Sequence, residues 1–242
     1  MVRRGLVLSR AEAARAIEAK LVLVNGSIAD KSARLVDPAD AVVMQGPGSR
    51  FVSRGGDKLD AALESFEIDV TGLRVLDAGA STGGFSDCLL QRGAAHVVAV
   101  DVGHGQLHPK IRNDQRVTVL ERFHVRDLDV AAIGGEVEIV VADLSFISII
   151  RALPSLISVG HRHVQFVLLV KPQFEAGKAE VDRGSGVIRD PLIHQRVCDE
   201  VSTALAAQGC EVLGWVESPI TGAQGNREFL VHARLVRPGS EP

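Results

Sequence analysis

The sequence predicts an α/β fold, a doubly wound and mainly parallel sheet with a small α+β unit ahead of it. Three observations predict it. From residue 74 onward, short apolar strands alternate with segments of helical periodicity. The stretch Val75-Leu76-Asp77-Ala78-Gly79-Ala80-Ser81-Thr82-Gly83-Gly84-Phe85 carries an apolar strand through an acid into a glycine-rich turn, and Ser86 to Gln91 then opens a helix. The chain closes with Glu211 to Val216 and Phe229 to Val236, separated only by the turn-rich segment 218–226, which reads as an antiparallel hairpin. That makes seven strands, the last one reversed.

Length and composition fit one sizeable domain with an appendage: 242 residues, 46% hydrophobic and 24% charged. No apolar run approaches the roughly 18 residues of a membrane span, and the start Met1-Val2-Arg3-Arg4-Gly5 lacks the apolar core of a signal peptide. A cytoplasmic, monomeric protein without a membrane partner is expected. Cys88, Cys198 and Cys210 have no metal-ligand spacing and read as small apolar residues, so no metal site is expected. The net charge of −3 is uneven: residues 1–50 hold eight Lys/Arg against five Asp/Glu, +3, which leaves −6 for the rest. A basic appendage on an acidic body suits a module that steers the protein onto a phosphate backbone.

In chain order, Ser9-Arg10-Ala11-Glu12 has the form of a capping box and starts a helix over about residues 10–20. Leu21 to Val24, closed by Asn25-Gly26, and Ala41 to Met44 are short strands. Arg3, Arg4, Arg10, Arg15 and Lys20 lie near or on the first helix, either as a solvated surface or as an RNA-facing patch. The text RRGLVLSRAEAARAIEAKLVLVNGSIADKSARLVDPADAVV resembles the small αL-type RNA-binding module of a ribosomal protein and of pseudouridine synthases. Domains are expected at 1–45 for that module, 46–53 for a turn-rich linker and 54–242 for the larger domain. Gly56-Asp57-Lys58-Leu59 opens a helix with Lys58 in its first turn. Strands follow at 74–77, 96–101, 116–120, 137–142 and 164–170, helices start near residues 84, 106, 127 and 147, and a long helix spans about 190–208. The segment 177–186 reads as a loop over the cleft, with Lys178 and Arg183 able to meet phosphate.

In a parallel sheet, ligands bind beyond the carboxyl ends of the strands. Asp77 ends the first of these strands and Asp101 the second, 24 positions on, near the roughly 20 expected for an acid that holds a ribose diol. Asp143 ends the fourth and Lys171 the fifth. Glu228 begins the last strand, whose reversal brings its start to the same rim. A lysine among carboxylates in such a cleft suits methyl transfer from a sulfonium to an alcohol, in which the protein aligns the reactants and manages one hydroxyl proton. Lys171 would do this as base or as electrostatic clamp.

The segments SRGGDKL, LDAGASTGGFSDCLLQRGA, VVADLSFIS, LLVKPQFEAGK and GNREFL resemble the TlyA/hemolysin A family of ribosomal RNA 2′-O-methyltransferases, over nearly the whole chain. The resemblance implies a Rossmann-like methyltransferase fold of the FtsJ-like group, S-adenosylmethionine as cofactor, a cytidine ribose in ribosomal RNA as substrate, and a Lys-Asp-Lys-Glu tetrad at Lys58, Asp143, Lys171 and Glu228. It places the cofactor loop on Asp77, Gly79, Ser81, Thr82, Gly83 and Gly84, the ribose acid on Asp101, and the adenine side near Glu121 and Arg122. The shorter ends resemble the subtype that acts on the large subunit, with both subunits as the wider expectation. The other readings are an RNA-binding protein without activity, a hemolysin-like protein, or a dinucleotide oxidoreductase. Asp77 before the first glycine and the closing hairpin argue against the last of these. Eight Phe, one Trp and no Tyr give no obvious platform for stacking bases, so recognition is expected to rest on RNA shape and phosphates.

Overall fold

The structure, a computed structural model, describes residues 1–7, 10–45 and 50–236. It forms two compact units, Met1–Arg50 and Phe51–Pro242. In the first, helix α1 (Arg10–Glu18) packs on a three-stranded antiparallel sheet of β1 (Val22–Val24), β2 (Ser27–Ile28) and β3 (Val42–Met44), with β1 in the middle. Ala16, Val22, Val24 and Ala29 form its core. Asn25 and Gly26 both take positive φ, as the hairpin turn between β1 and β2 requires. The capping box read at Ser9–Glu12 and the side chain of Arg15 lie outside the described residues, as do residues 46–49. Arg4 turns its guanidinium to the carbonyl oxygens of Asp37 and Asp40, at 2.8 and 2.5 Å, and so holds the loop before β3. Arg3, Arg10 and Lys20 are exposed.

The second unit begins with Phe51 and Val52 already in its core, although the sequence assigns both to a linker. Its elements are α2 (Gly55–Ser65), β4 (Arg74–Ala78), α3 (Gly84–Gln91), β5 (His96–Asp101), α4 (Pro109–Arg112), β6 (Val117–Glu121), β7 (Val137–Ala142), α5 (Ile149–Ser158), β8 (Gly160–Val170), α6 (Pro172–Glu175), α7 (Lys178–Arg183), α8 (Pro191–Ala207), β9 (Cys210–Glu217) and β10 (Phe229–Leu235). The seven strands lie in the order β6-β5-β4-β7-β8-β10-β9, and β10 is antiparallel to both neighbours while the other described pairings are parallel. The expected seven-stranded sheet with a reversed last strand is therefore present. Strand alternation sends Val97 and Ala99 to one face, with Leu59, Leu63 and Leu89 of α2 and α3, and Val98 and Val100 to the other, with Leu153, Leu156, Val197 and Val201 of α5 and α8.

Several boundaries differ from the expectations, for identifiable reasons. β8 starts at Gly160, not at 164, because His161, Arg162 and His163 are exposed residues that still continue the strand. The helix expected from about 106 is only the four residues of α4. The one expected from about 127 is a 3-10 turn, Val125–Asp127, since Asp129 accepts the Ala132 N–H at 2.7 Å and Gly134 and Gly135 take positive φ. Residues 177–186 include a helix, because Glu180 accepts the Gly177 N–H at 3.1 Å and pairs with Arg196 of α8 at 2.6 Å. Cys88 and Cys210 are buried, and burial pushes the thiols of Cys198 and Cys210 up to about 11, so both stay protonated and inert. No helix among the described residues is long and apolar enough to cross a membrane.

Asp87, in the first turn of α3, is 1% exposed and accepts the Val52 N–H at 2.9 Å, the Gln91 side-chain amide at 3.0 Å and Lys110 Nζ at 2.9 Å. It therefore ties the start of the unit to the helix under the glycine-rich turn. Asp87→Ala strands a buried N–H, and urea unfolding should show a loss of about 2–4 kcal/mol. A loss below about 0.5 kcal/mol would mean that the tie is dispensable.

Candidate active site

The glycine-rich turn takes its shape from close packing. Gly79 has φ +86°, and a Cβ there would lie 2.6 Å from the Asp143 carbonyl oxygen. At Gly84 a Cβ would lie 2.2 Å from Ser53 Oγ, so α3 starts directly against the entry to α2. The N–H groups of Gly79 and Ala80 both reach the Val100 carbonyl. Ser81 has φ +47° and donates its N–H to Asp101 Oδ2 at 2.8 Å, while Asp101 Oδ1 accepts the Gly103 N–H at 2.6 Å. Gly83 caps α3 with φ +93°, and Thr82 is exposed, its carbonyl accepting the His108 N–H.

A shallow cleft opens beside this turn, with Ala99, Leu107 and Val119 as apolar lining and Asp101 and Glu121 as its acids. Glu121 accepts the Gly105 N–H at 2.9 Å and pairs with His104 at 2.8 Å and with Arg112. Hydrogen bonds from Gly105, Arg112 and His104, together with the Arg112 charge, hold its carboxyl below the usual range against the opposing effect of desolvation. Arg122 is exposed, has φ +56°, and is not among the lining residues.

Asp77 sits fully buried under the turn. Oδ2 accepts the Ser86 hydroxyl at 2.6 Å, while Oδ1 has no partner. Burial raises its carboxyl from 3.8 to about 7, the Ser86 hydrogen bond opposes that, and the nearby charges of Asp143 and Asp101 add to it. An orphaned buried carboxyl oxygen, two further acids and an apolar cleft fit a ligand that carries positive charge at one end and a ribose and flat ring at the other.

Along the same rim, two lysine–carboxylate pairs converge. Lys58 Nζ lies 2.5 Å from Glu228 Oε2, and Lys171 Nζ lies 2.6 Å from Asp143 Oδ1. Both lysines are 8% exposed and Glu228 only 3%. The Asp143 N–H continues the ladder to the Ala78 carbonyl at 3.0 Å, which seats it beside Gly79. Phe229 pairs with Val170, so Glu228 is next in register to Lys171 across the reversed strand.

Sequence reasoning missed three neighbours. Ser145 Oγ accepts a second hydrogen bond from Lys171 Nζ at 2.9 Å, the Phe174 ring centroid is 5.8 Å from that nitrogen, and Phe146 packs tilted against Phe174 with centroids 5.5 Å apart. Phe146 is 93% exposed and has φ +66°, a conformation rarely held by a bulky residue. The chain thus has an exposed aromatic face beside the lysine site, contrary to the expectation from composition. Its signal in the sequence was an apolar ring three residues after a strand-end acid. Lys178 and Arg183, on α7, are exposed.

The profile of the FtsJ-like methyltransferases matches residues 51–235, and that of the S4 domain matches residues 1–42. The 16S/23S rRNA (cytidine-2′-O)-methyltransferase TlyA of Mycobacterium tuberculosis is 49% identical over 97% of this chain and 87% of its own. A solved structure from Streptococcus thermophilus, of a protein named as a hemolysin, is 39% identical, covers 96% of this chain and 86% of its own, and superposes with a TM-score of 0.81. At 17% identity, the magnesium protoporphyrin IX methyltransferase of Synechocystis PCC 6803 with bound SAH shares the fold over 76% of this chain and 83% of its own, with a TM-score of 0.54.

The buried Asp77 predicts a pH dependence of stability. The folded carboxyl keeps its proton up to about pH 7, and the unfolded one releases it near 3.8. Its contribution is therefore present below about pH 4 and is lost as pH rises through 7. Asp77→Asn removes the titration. The stability of the wild type relative to the variant should fall by about 2–4 kcal/mol between pH 4 and pH 8 in urea titrations, and a pH-independent difference would contradict the burial argument.

Proposed function

The chain belongs to the FtsJ-like methyltransferases, and from that premise we infer that it transfers a methyl group from S-adenosylmethionine to the 2′-hydroxyl of a cytidine in ribosomal RNA. The observation that carries the reading is the convergence of the Lys58–Glu228 and Lys171–Asp143 pairs on the rim next to the glycine-rich turn. When bound, the cofactor supplies a methyl group already activated on a cationic sulfur, so the protein has only to align the nucleophile and handle its proton. Asp101 and the turn from Asp77 to Gly84 would hold the cofactor, with Glu121 at the edge of the ring cleft and Asp77 as the buried counter-charge.

In this reading the ribose hydroxyl docks between the two lysines. Asp143 and Ser145 fix Lys171 from two sides, and Lys171 takes up the hydroxyl proton as the oxygen attacks while passing one of its own protons to the Asp143 carboxylate. Lys58, held by Glu228, donates to the same oxygen and stabilises the negative charge that develops there. Phe146 offers its open face to a base, and Lys178 and Arg183 offer charge to the backbone. The basic residues of the small unit, Arg3, Arg10 and Lys20, with Arg15, supply phosphate contacts, while Arg4 adds charge but spends its hydrogen bonds on its own loop.

The proposed target is the large-subunit RNA, which the name of the mycobacterial relative includes beside the small-subunit one. A ribosomal substrate implies action in the cytoplasm. Among the described residues, no membrane-crossing helix supports a lytic role.

Lys171→Ala should lower methyl incorporation into ribosomal RNA by about 10²–10⁴-fold. Calorimetry should show the dissociation constant for S-adenosylhomocysteine unchanged within about twofold, because Lys171 lies outside the cleft lining. Incorporation at the wild-type rate would remove Lys171 from proton handling.

A further inference from the structure

Two loops leave adjacent parallel strands at the lysine site, residues 143–148 after β7 and residues 171–175, a connection that includes the short helix α6, after β8. Three contacts join them near the rim: Lys171 to Asp143, Lys171 to Ser145, and Phe174 to Phe146. A fourth closes the far end. Glu175 Oε2 accepts the Ser148 hydroxyl at 2.5 Å, and Oε1 accepts the Ile149 N–H at 2.7 Å.

The fourth contact is unusual for its position. Ser148 is the N-cap of α5, and serine ordinarily caps with its own oxygen at no cost in tertiary order. Here Ser148 makes no side-chain capping bond and gives its hydroxyl away. The helix N–H goes instead to a carboxylate 26 residues later in the chain. That carboxylate is partly withdrawn from water, and desolvation raises its pKa despite the hydrogen bonds from Ser148 and Ile149. A local cap would stabilise α5 without that penalty. What the remote cap adds is a fixed distance between the two loops. Only two residues before Ser148 lies Phe146 at φ +66°, which needs surrounding structure to hold it.

We propose that Glu175 is a positioning residue for methyl transfer, clamping the loop that carries Asp143, Ser145 and Phe146 against the loop that carries Lys171. This rests on the ribose-methylation reading above. Glu175 touches neither cofactor nor reacting oxygen and acts through Ser148 and the backbone of Ile149.

The test uses the full chain, purified ribosomal subunits and saturating S-adenosylmethionine in single-turnover assays below the unfolding temperature of every variant. Glu175→Ala should slow transfer by about 10–100-fold, as expected when a reacting constellation is displaced by an ångström or less. The S-adenosylhomocysteine dissociation constant should stay within about twofold. Glu175→Gln should recover most of the rate, because its amide oxygen still accepts the Ile149 N–H and its NH₂ meets the Ser148 oxygen. Combining Glu175→Ala with Ser145→Ala should cost less than the product of the two single losses, since both disturb the same loop. Should Glu175→Ala fail to fold, Ser148→Ala tests the same clamp from the other side, with an expected loss of about 3–10-fold. A wild-type rate in Glu175→Ala, or in Ser148→Ala where that variant stands in, would overturn the proposal, as would equal losses in the Gln and Ala variants or strictly multiplicative losses in the double variant. If the unmodified protein methylates no subunit, the ribose reading fails first, and that outcome is separate from any result on Glu175.

Discussion

The site depends on the reversal of one strand. In a parallel sheet, residues at strand ends gather on one rim and residues at strand starts gather on the other. β10 runs against its neighbours between β8 and β9, so Glu228, immediately before that strand begins, arrives where Asp77 and Asp101 close their strands and Asp143 and Lys171 follow theirs, Asp77 one residue before the end of β4. The pairing of Phe229 with Val170 then sets Glu228 beside Lys171 in register. A parallel β10 would carry Glu228 to the opposite edge and leave Lys58 without its partner. The turn-rich segment 218–228, which permits the hairpin, is thus as much a part of the site as the glycine-rich turn. It also packs onto the carboxylate itself, since a Cβ on Gly222 would lie 2.5 Å from Glu228 Oε1.

The two lysine–carboxylate pairs are hard to explain as stabilisers. Taking charged groups out of water costs several kcal/mol each, and well-packed apolar residues in their place are often neutral or stabilising by about 1–4 kcal/mol. Lys58, Lys171 and Glu228 are nearly buried nonetheless. Their value lies in geometry: each ammonium has its own acceptor and is held near one edge of the glycine-rich turn. Asp77 belongs to the same economy of charge. Raised to about 7 with one oxygen unpartnered, it is destabilising when ionised, a penalty that a cationic ligand bound beside it would remove.

Most of this was legible in the sequence because it rests on local signals. Asp101, Asp143 and Lys171 each follow an unbroken apolar strand, and Asp77 leads straight into glycines, so charge at a strand end marked the rim before any coordinates. The side chains around Lys171 were not legible. Ser145, Phe146, Phe174 and Glu175 matter because two loops about 26 residues apart are folded against each other, and neither periodicity nor composition records that approach. The same limit explains the missing helix after β6, where Asp129 and two glycines form turns in a segment that otherwise reads as helical. It also explains the early start of β8, where polar residues at an exposed strand end hide its pairing.

The central claim is that the rim converts a ribose hydroxyl into a methyl ether. Mapping 2′-O-methylation by mass spectrometry on ribosomal RNA, after incubating purified subunits of each size with the protein and S-adenosylmethionine, tests it most directly. The account predicts a 2′-O-methylcytidine in the large-subunit RNA that depends on added protein. Methylation of a base atom, or no methyl incorporation by a protein that demonstrably binds the cofactor, would contradict it.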